Sequence, residues 1–535
     1  MKRLISLLAG LAVVAVVAFV VLRDTQPATT LRIVAGSENQ ALEPLVQDWA
    51  AQNGVTVDVT YLGSVDISRS LSTGSGSEYD AVWPAHSLWI ELGDTQKVVA
   101  HSQSILRSPV VLGLRMSIAE RLGWVGRDDV TIQMIEQAAR EGAFRLSMTS
   151  ATQSNSGASA YLGFLYALAG NPDILTLETL AEPKLQDDMR ALLGTVDRSS
   201  GSSGWLKDSL VANPAAFDAM INYESVVIEA NQALTAQRQE PLYIIYPANG
   251  MAVADSPLGL IDKGDAAKET AFLALQAFLL APEQQDKLGD LGRRTGLLGL
   301  SADGADPAVW NTDWGIDLGR DIAPIPTPAS EVIAEALSLY QSELRKPSLT
   351  VWVLDVSGSM SGAPLAQLKE AMNLLLDPEA AAVSLLQPSR RDITILLPFN
   401  HAPLSPTIVT GATEADLAAA LTRVQGLQAE GGTDLYAAIG TAVDLLAPYA
   451  ENGTLTDYLP AIVAMTDGAS ETINRDWMQA RIDDSGFARD IPIHSIAFGD
   501  ADEDQLQALS TASIGRLFKA GGNIAAALRG AKGYN

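Results

Sequence analysis

The sequence predicts an α/β protein: two successive domains behind an apolar N-terminal segment. Three observations carry that prediction. Strand-like and helix-like segments alternate from Leu31 to about Leu300, and again from Ser348 to the end. Such alternation argues for largely parallel sheets with helices on both faces. Between the two stretches lies a polar, turn-rich segment, 301–330, in which Pro324, Pro326 and Pro328 stiffen Ile322–Ser330 into a linker. Ahead of both, Met1-Lys2-Arg3 precedes an uncharged run from Leu4 to Leu22, closed by Arg23-Asp24.

Each element follows in order. At ~1.5 Å per residue, Leu4–Leu22 just spans a ~30 Å hydrocarbon core. Lys2 and Arg3 would stay cytoplasmic, which sends the rest of the chain outward. Residues 1–23 therefore read as a single-pass signal anchor in the cell membrane, with a cleaved signal peptide as the alternative. Either way the bulk is extracytoplasmic, periplasmic or extracellular. In 31–300, LRIVAGS, VTVDVTYLGS, YDAVWPA and SPVVLGLR read as strands. QALEPLVQDWAAQ reads as an amphipathic helix with Leu42, Leu45, Val46 and Trp49 on one face. AFLALQAFLLA (271–281) is too short to span a bilayer and reads as a core helix. Residues 301–347 form a linker and a connecting helix at about 330–344, with Ser330 as N-cap. From 348 to 535, LTVWVLD, DITILLPF, PAIVAMTD and PIHSIAFGD read as strands. Helices are expected near 363–376, 413–425, 433–447 and 475–484, giving a doubly wound, Rossmann-like domain.

Composition narrows the function. The chain has 535 residues and 47% hydrophobic content, which is globular. Lys plus Arg is 36 against 63 Asp plus Glu, a formal charge of −27. No nucleic-acid partner is expected, since phosphate binding needs clustered cations. There is no cysteine, which removes disulfides, thiolate metal sites and thiol nucleophiles. Four scattered histidines form no HExxH pair, and neither a GxxxxGK[ST] loop nor GxSxG occurs. An enzyme is not expected.

One motif stands above background. Asp355-Val356-Ser357-Gly358-Ser359 follows the apolar strand TVWVL directly. Three oxygen side chains at alternate positions can converge in one loop at the carboxyl end of a strand, where open α/β sheets place their ligands. Thr433 follows a glycine turn and opens a helix, and Asp467 ends the next buried strand. Carboxylate and hydroxyl oxygens suit a hard cation. The plainer reading is turn chemistry, with Ser and Asp serving local backbone bonds; it leaves Thr433 and Asp467 without a role.

On these residues, 348–535 resembles the von Willebrand factor A (vWA) domain, with VLDVSGSM and MTDG in that family's wording. The resemblance implies strand order 3-2-1-4-5-6 and a metal-ion-dependent adhesion site holding one Mg²⁺, with Mn²⁺ as substitute. Ser357 and Ser359 would bind it through hydroxyls. Thr433, Asp355 and Asp467 would bind it directly or through water. A vacant metal position would take an acidic side chain from a partner protein.

The first half carries Gly/Ser turns that lead into helices. Ser37, Ser64 and the run Ser154-Asn155-Ser156-Gly157 precede helices expected at 40–51, 65–72 and 158–169. Helix N-termini with hydroxyls suit anions, and Ser is equally a common cap. Residues 31–300 resemble a bacterial extracellular solute-binding protein of the two-lobed, type II periplasmic kind, related to oxyanion binders. IVAGSENQALEPLVQDW, LGSVDISRSL and FRLSMTSATQSNSGASAYLGFLYALAG carry the likeness. The resemblance makes Ser37, Ser64, Ser154, Ser156 and Tyr223 the candidate ligand-binding groups for a small solute. Glu38 and Glu224 stand beside them, and an unpaired carboxylate would repel an oxyanion. Trp310 and Trp314 read as packing residues, and His494 as a core histidine.

The expected function is a membrane-anchored binding protein that grips a partner through a Mg²⁺-dependent site, with the first half sensing or scaffolding. The alternative is a receptor for an ABC-type importer that uses the second domain as a docking module.

Overall fold

The computed structural model describes residues 29–295, 305–320, 322–467, 470–499, 501–520 and 524–533. The run Leu4–Leu22 lies outside the described residues. Among those described, no helix is long and apolar enough to cross a membrane.

Four strands come first: β1 (Thr29–Gly36), β2 (Val55–Leu62), β3 (Ala81–Trp83) and β4 (Val99–Ser104). Six more follow: β5 (Ser108–Arg115), β6 (Leu146–Thr149), β7 (Val196–Ser200), β8 (Ala219–Tyr223), β9 (Leu242–Ile245) and β10 (Val253–Ala254). β11 (Pro257–Ile261) then returns to the first group. The result is two sheets, ordered β2-β1-β3-β11-β4 and β10-β5-β8-β6-β7, with β9 also on β5. The backbone passes between these two lobes at 105–107 and again at 255–256. Ile105 N–H donates to Ser256 O across that pair of crossings (3.2 Å).

The third sheet contains β12 (Ser348–Asp355), β13 (Ile393–Phe399), β14 (Thr407–Thr410), β15 (Leu459–Thr466), β16 (Ile493–Ala497) and β17 (Leu517–Lys519). Its order is β14-β13-β12-β15-β16-β17, parallel except at β14. Counted within the domain this is 3-2-1-4-5-6, as the resemblance implies. β12 is buried along its whole length. Leu349, Val351 and Val353 face one apolar cluster, while Trp352 and Leu354 face the other. Two-sided burial explains why its sequence is a continuous apolar run rather than an alternation.

The expected helices are present with shifted ends. Ala363–Leu376, Glu414–Gln425 and Arg475–Ser485 lie within a residue of expectation, and the helix expected at 433–447 is Leu435–Glu451. The helix expected at 40–51 divides into a tight turn at Ser37–Leu42 and a helix at Glu43–Asn53, with Pro44 in its first turn. The connecting helix starts at Ser330, but Ala329 occupies the cap position, so Ser330 is not the N-cap. Ala329 is the extended residue at the entry (φ −61°, ψ 151°), Ser330 is already in the first turn, and no side-chain cap bond forms. This helix packs Val332, Ile333, Ala336 and Leu337 into the core of the second lobe. The proline stretch before it lies along that lobe, where Ile325 N–H donates to Met251 O (2.9 Å). Trp310 and Trp314 are buried in the same lobe's other cluster.

Candidate functional site

Oxygen side chains collect at two places, each at the carboxyl ends of parallel strands. The first is at the end of β12. Asp355 is fully buried, and its carboxylate is held on both sides. Thr466 Oγ1 donates to Asp355 Oδ2 (2.5 Å), and Ser357 N–H donates to Asp355 Oδ1 (2.7 Å). The Ser357 and Ser359 hydroxyls lie 3.1 Å apart, and Ser359 Oγ donates to Asp467 Oδ1 (2.9 Å). A bonded chain therefore runs from Thr466 through Asp355, Ser357 and Ser359 to Asp467. Ser359 is exposed and Asp467 half-buried, so the chain starts in the core and ends at the surface.

The Thr433 loop is pinned beside it. Gly358 N–H donates to Gly431 O (2.9 Å), and Glu430 N–H donates to Val356 O (2.8 Å). Gly431 takes a left-handed φ of 83°, which glycine tolerates without strain. Thr433 is half-buried, and its carbonyl accepts from Glu471 N–H (3.1 Å). Four of the five expected residues are thus bonded together, with Thr433 on the adjoining loop. Thr466 was not foreseen; its only signal was its place before Asp467 at the end of an apolar strand.

The electrostatics are those of an anion-rich cluster. Burial pushes the Asp355 carboxyl up, the Thr466 and Ser357 bonds pull it down, and the Asp467 carboxylate adds to the rise. The charged neighbour acting on Asp355 is therefore another carboxylate. Among the described residues, no group of three or more His, Cys, Asp or Glu is placed to hold a metal. This donor set draws on hydroxyls instead: two carboxylates and serine or threonine oxygens, all hard. It fits Mg²⁺ or Mn²⁺ and would suit neither a soft nor a nitrogen-seeking metal.

The second collection lies between the two lobes. Ser154 and Ser156 do not cap by side chain. Their hydroxyls lie 3.1 and 2.8 Å from Ser203 Oγ, and Ser156 Oγ lies 2.7 Å from Thr149 Oγ1. Ser37 Oγ accepts from Ser202 Oγ of the opposite lobe (3.0 Å). Ser64 Oγ accepts from Ala85 N–H within its own lobe (3.1 Å). Tyr223 OH accepts from Asn155 Nδ2 (3.0 Å), and Asn155 Oδ1 accepts from Trp89 Nε1 of the first lobe (2.7 Å). The structure brings Ser154 and Ser156 together and puts Tyr223 near by through Asn155, while Ser37 and Ser64 bond elsewhere. Asn155 was named only as part of the run Ser154–Gly157, and Ser203 and Thr149 were not singled out, although SSGSSG holds the same residue type as that run.

The two acidic neighbours differ. Glu224 is not an unpaired charge: Arg294 donates to both its oxygens (2.6 and 2.7 Å), and Tyr246 OH also donates to it. Glu38 Oε1 is buried without a hydrogen-bond partner. Burial pushes its carboxyl up to about 7, while its own backbone N–H and Arg293 pull it back. His494 is a core histidine, with Nδ1 accepting from Arg516 N–H (3.1 Å).

Two family models match the chain. Residues 31–294 match the bacterial extracellular solute-binding protein family, and residues 350–517 match the von Willebrand factor type A domain. The inter-alpha-trypsin inhibitor heavy chain H2 of Sus scrofa is 27% identical over 194 residues, 35% of this chain. The match covers 20% of that protein, so this chain spans about a fifth of its length. The sulfate-binding protein SubI from Mycobacterium tuberculosis H37Rv aligns at 17% identity over 56% of this chain and 93% of its own, TM-score 0.37. A von Willebrand factor type A protein from Catenulispora acidiphila aligns at 18% identity over 35% and 42%, TM-score 0.28. Domains of these two kinds are typically non-enzymatic, the one binding small solutes outside the cytoplasm and the other mediating protein contacts. The chain thus carries one segment similar to bacterial extracellular solute-binding proteins, 31–294, and one similar to the von Willebrand factor type A domain, 350–517.

Proposed function

We propose that this chain is an extracytoplasmic binding protein, held at the cell membrane by Leu4–Leu22, that engages a partner protein through Mg²⁺ at the vWA domain. Asp355, Ser357, Ser359, Thr433 and Asp467 would hold the ion, with Mn²⁺ as substitute. The observation that carries the reading is the bonded chain from Thr466 to Asp467, which links the buried Asp355 carboxylate through the exposed Ser359 hydroxyl to a second carboxylate. Bound there, the cation supplies charge to attract a carboxylate from outside. The chain's own residues do the rest: Thr466 and the Ser357 amide fix Asp355, while the Gly358–Gly431 bond holds the Thr433 loop in place. Mg²⁺ seldom fills its shell from protein alone, which leaves room for an acidic side chain of the partner.

The test is capture of envelope proteins by the full chain, in Mg²⁺ and in EDTA, beside the Asp355→Ala variant. A band present only with Mg²⁺ and only for the parent supports the proposal. A band indifferent to both rules out the metal bridge.

The solute half would sense or scaffold. The importer-receptor alternative needs an open solute site, and the mutually bonded hydroxyls and the Glu38 carboxylate between the lobes weigh against an oxyanion there. A saturating solute would add about 2.7 kcal/mol at a hundred times its Kd. Thermal shift with sulfate, amino acids and short peptides measures that directly.

A further inference from the structure

The two domains meet at the mouth of the cleft between the lobes, and one helix of the vWA domain touches both sides. That helix is Ile524–Gly533. Its Arg529 is buried, with Nε 2.6 Å from Asp66 Oδ1 on the first-lobe helix Ser64–Ser70. The Arg529 carbonyl accepts from the side-chain amide of Gln153, which belongs to the second lobe. Gln153 also closes the lobes on each other: its carbonyl accepts from Val65 N–H of the first lobe (3.4 Å). The approach there is close enough that a Cβ on Gly63 would stand 2.1 Å from Gln153 O. Arg69, on the same helix as Asp66, donates to Ser384 O of the vWA domain (3.0 Å).

A cavity of about 560 Å³ opens beside this junction, and all three bodies line it. Ser37 and Tyr61 come from the first lobe, Ser202 and Trp205 from the second, Phe518 and Lys519 from the vWA domain. Ser37 and Ser202 are the pair bonded across the cleft. The vWA domain is thus a third wall of the cleft mouth. Opening the lobes would draw Asp66 and Gln153 apart, and a helix ion-paired to the one and hydrogen-bonded to the other cannot follow both.

We propose that the helix Ile524–Gly533 is a lock on the solute cleft: the lobes separate, and solute exchanges, only when this helix leaves its seat on Asp66 and Gln153. The proposal rests on reading the first half as a solute-binding fold and does not depend on the metal site. Its failure would leave the partner-binding reading intact.

The absence of cysteine makes the test clean. Gln52→Cys on the first lobe and Glu178→Cys on the second, both at exposed positions, carry spin labels in the full chain. Electron–electron resonance then reads the distance between the lobes. The parent is expected to give one narrow distribution. Arg529→Ala with Gln153→Ala is expected to add a longer-distance population. Exchanging the charges, Asp66→Arg with Arg529→Asp, is expected to restore the narrow one. Asp66→Asn alone serves as a milder break if the double variant does not fold. A narrow distribution in every variant would overturn the lock, because the lobes would then stay shut on their own contacts. A broad distribution in the exchanged pair would equally refute it, because the ion pair would not be what holds them.

Discussion

The two oxygen collections use nearly the same side chains and end in opposite states. In the second lobe, Ser154, Ser156, Ser203 and Thr149 satisfy one another, and all four are buried. At the end of β12, Ser357 and Ser359 stand between two carboxylates, and Ser359 is exposed. A hydroxyl that donates to another hydroxyl closes a network. One that donates to a carboxylate leaves negative charge on the site, and that charge asks for a cation. The neighbours of the serines, more than the serines themselves, decide which collection can take a ligand.

That comparison can be broken or sharpened by substitution. The largest effect is expected at Glu224, whose carboxylate pairs with buried Arg294. Glu224→Ala should cost about 3–5 kcal/mol, because it strands a buried guanidinium. Denaturant unfolding measures this, and a cost below ~1 kcal/mol would mean that the lobe tolerates an open charge. Next is the cation itself. Saturating Mg²⁺ should raise the stability of the parent by about 2.7 kcal/mol at a hundred times Kd and leave Asp355→Ala unchanged.

Glu38 gives a pH signature. Its carboxyl is raised to about 7, so between its ordinary 4.5 and 7 the folded chain holds a proton that the unfolded chain has lost. Stability due to this group therefore falls as pH rises through that window. Glu38→Gln should be more stable than the parent above pH 7, on the order of 2 kcal/mol, with the gap closing below pH 4.5. Thermal melts at pH 4 and pH 8 check the sign. The smallest pair contrasts the collections directly. Ser156→Ala should cost about 1–2 kcal/mol by stranding buried partners, whereas Ser359→Ala, without metal, should stay within about 0.5 kcal/mol. Equal costs would erase the distinction drawn here.

Much of this was legible from the residues. β12 and β15 announced themselves as apolar runs because they are buried on two faces. Asp355 and Asp467 announced themselves as the first charged residues after those runs. The strand order followed from the family resemblance and is found in the sheet. Other features were not legible, for physical reasons. Ser330 looked like a cap because residue type favours it, but the backbone turns helical one residue earlier and leaves extended Ala329 at the cap position. Glu224 looked unpaired because its partner, Arg294, is 70 residues away in sequence. Ser37 and Ser64 looked like neighbours of Ser154 because all follow strands, yet their bonds are set by packing that no local pattern encodes. The contact of Arg529 with Asp66 joins two domains, and such pairs leave no trace in either domain's own periodicity.

The central claim is that the oxygen cluster at the end of β12 holds a hard divalent cation. Isothermal titration of Mg²⁺ and Mn²⁺ into the chain, beside the Asp355→Ala variant, tests it most directly. The account predicts saturable binding of one ion to the parent and none to the variant. Equal heats from both proteins would contradict it and would leave the cluster as turn chemistry at a strand end.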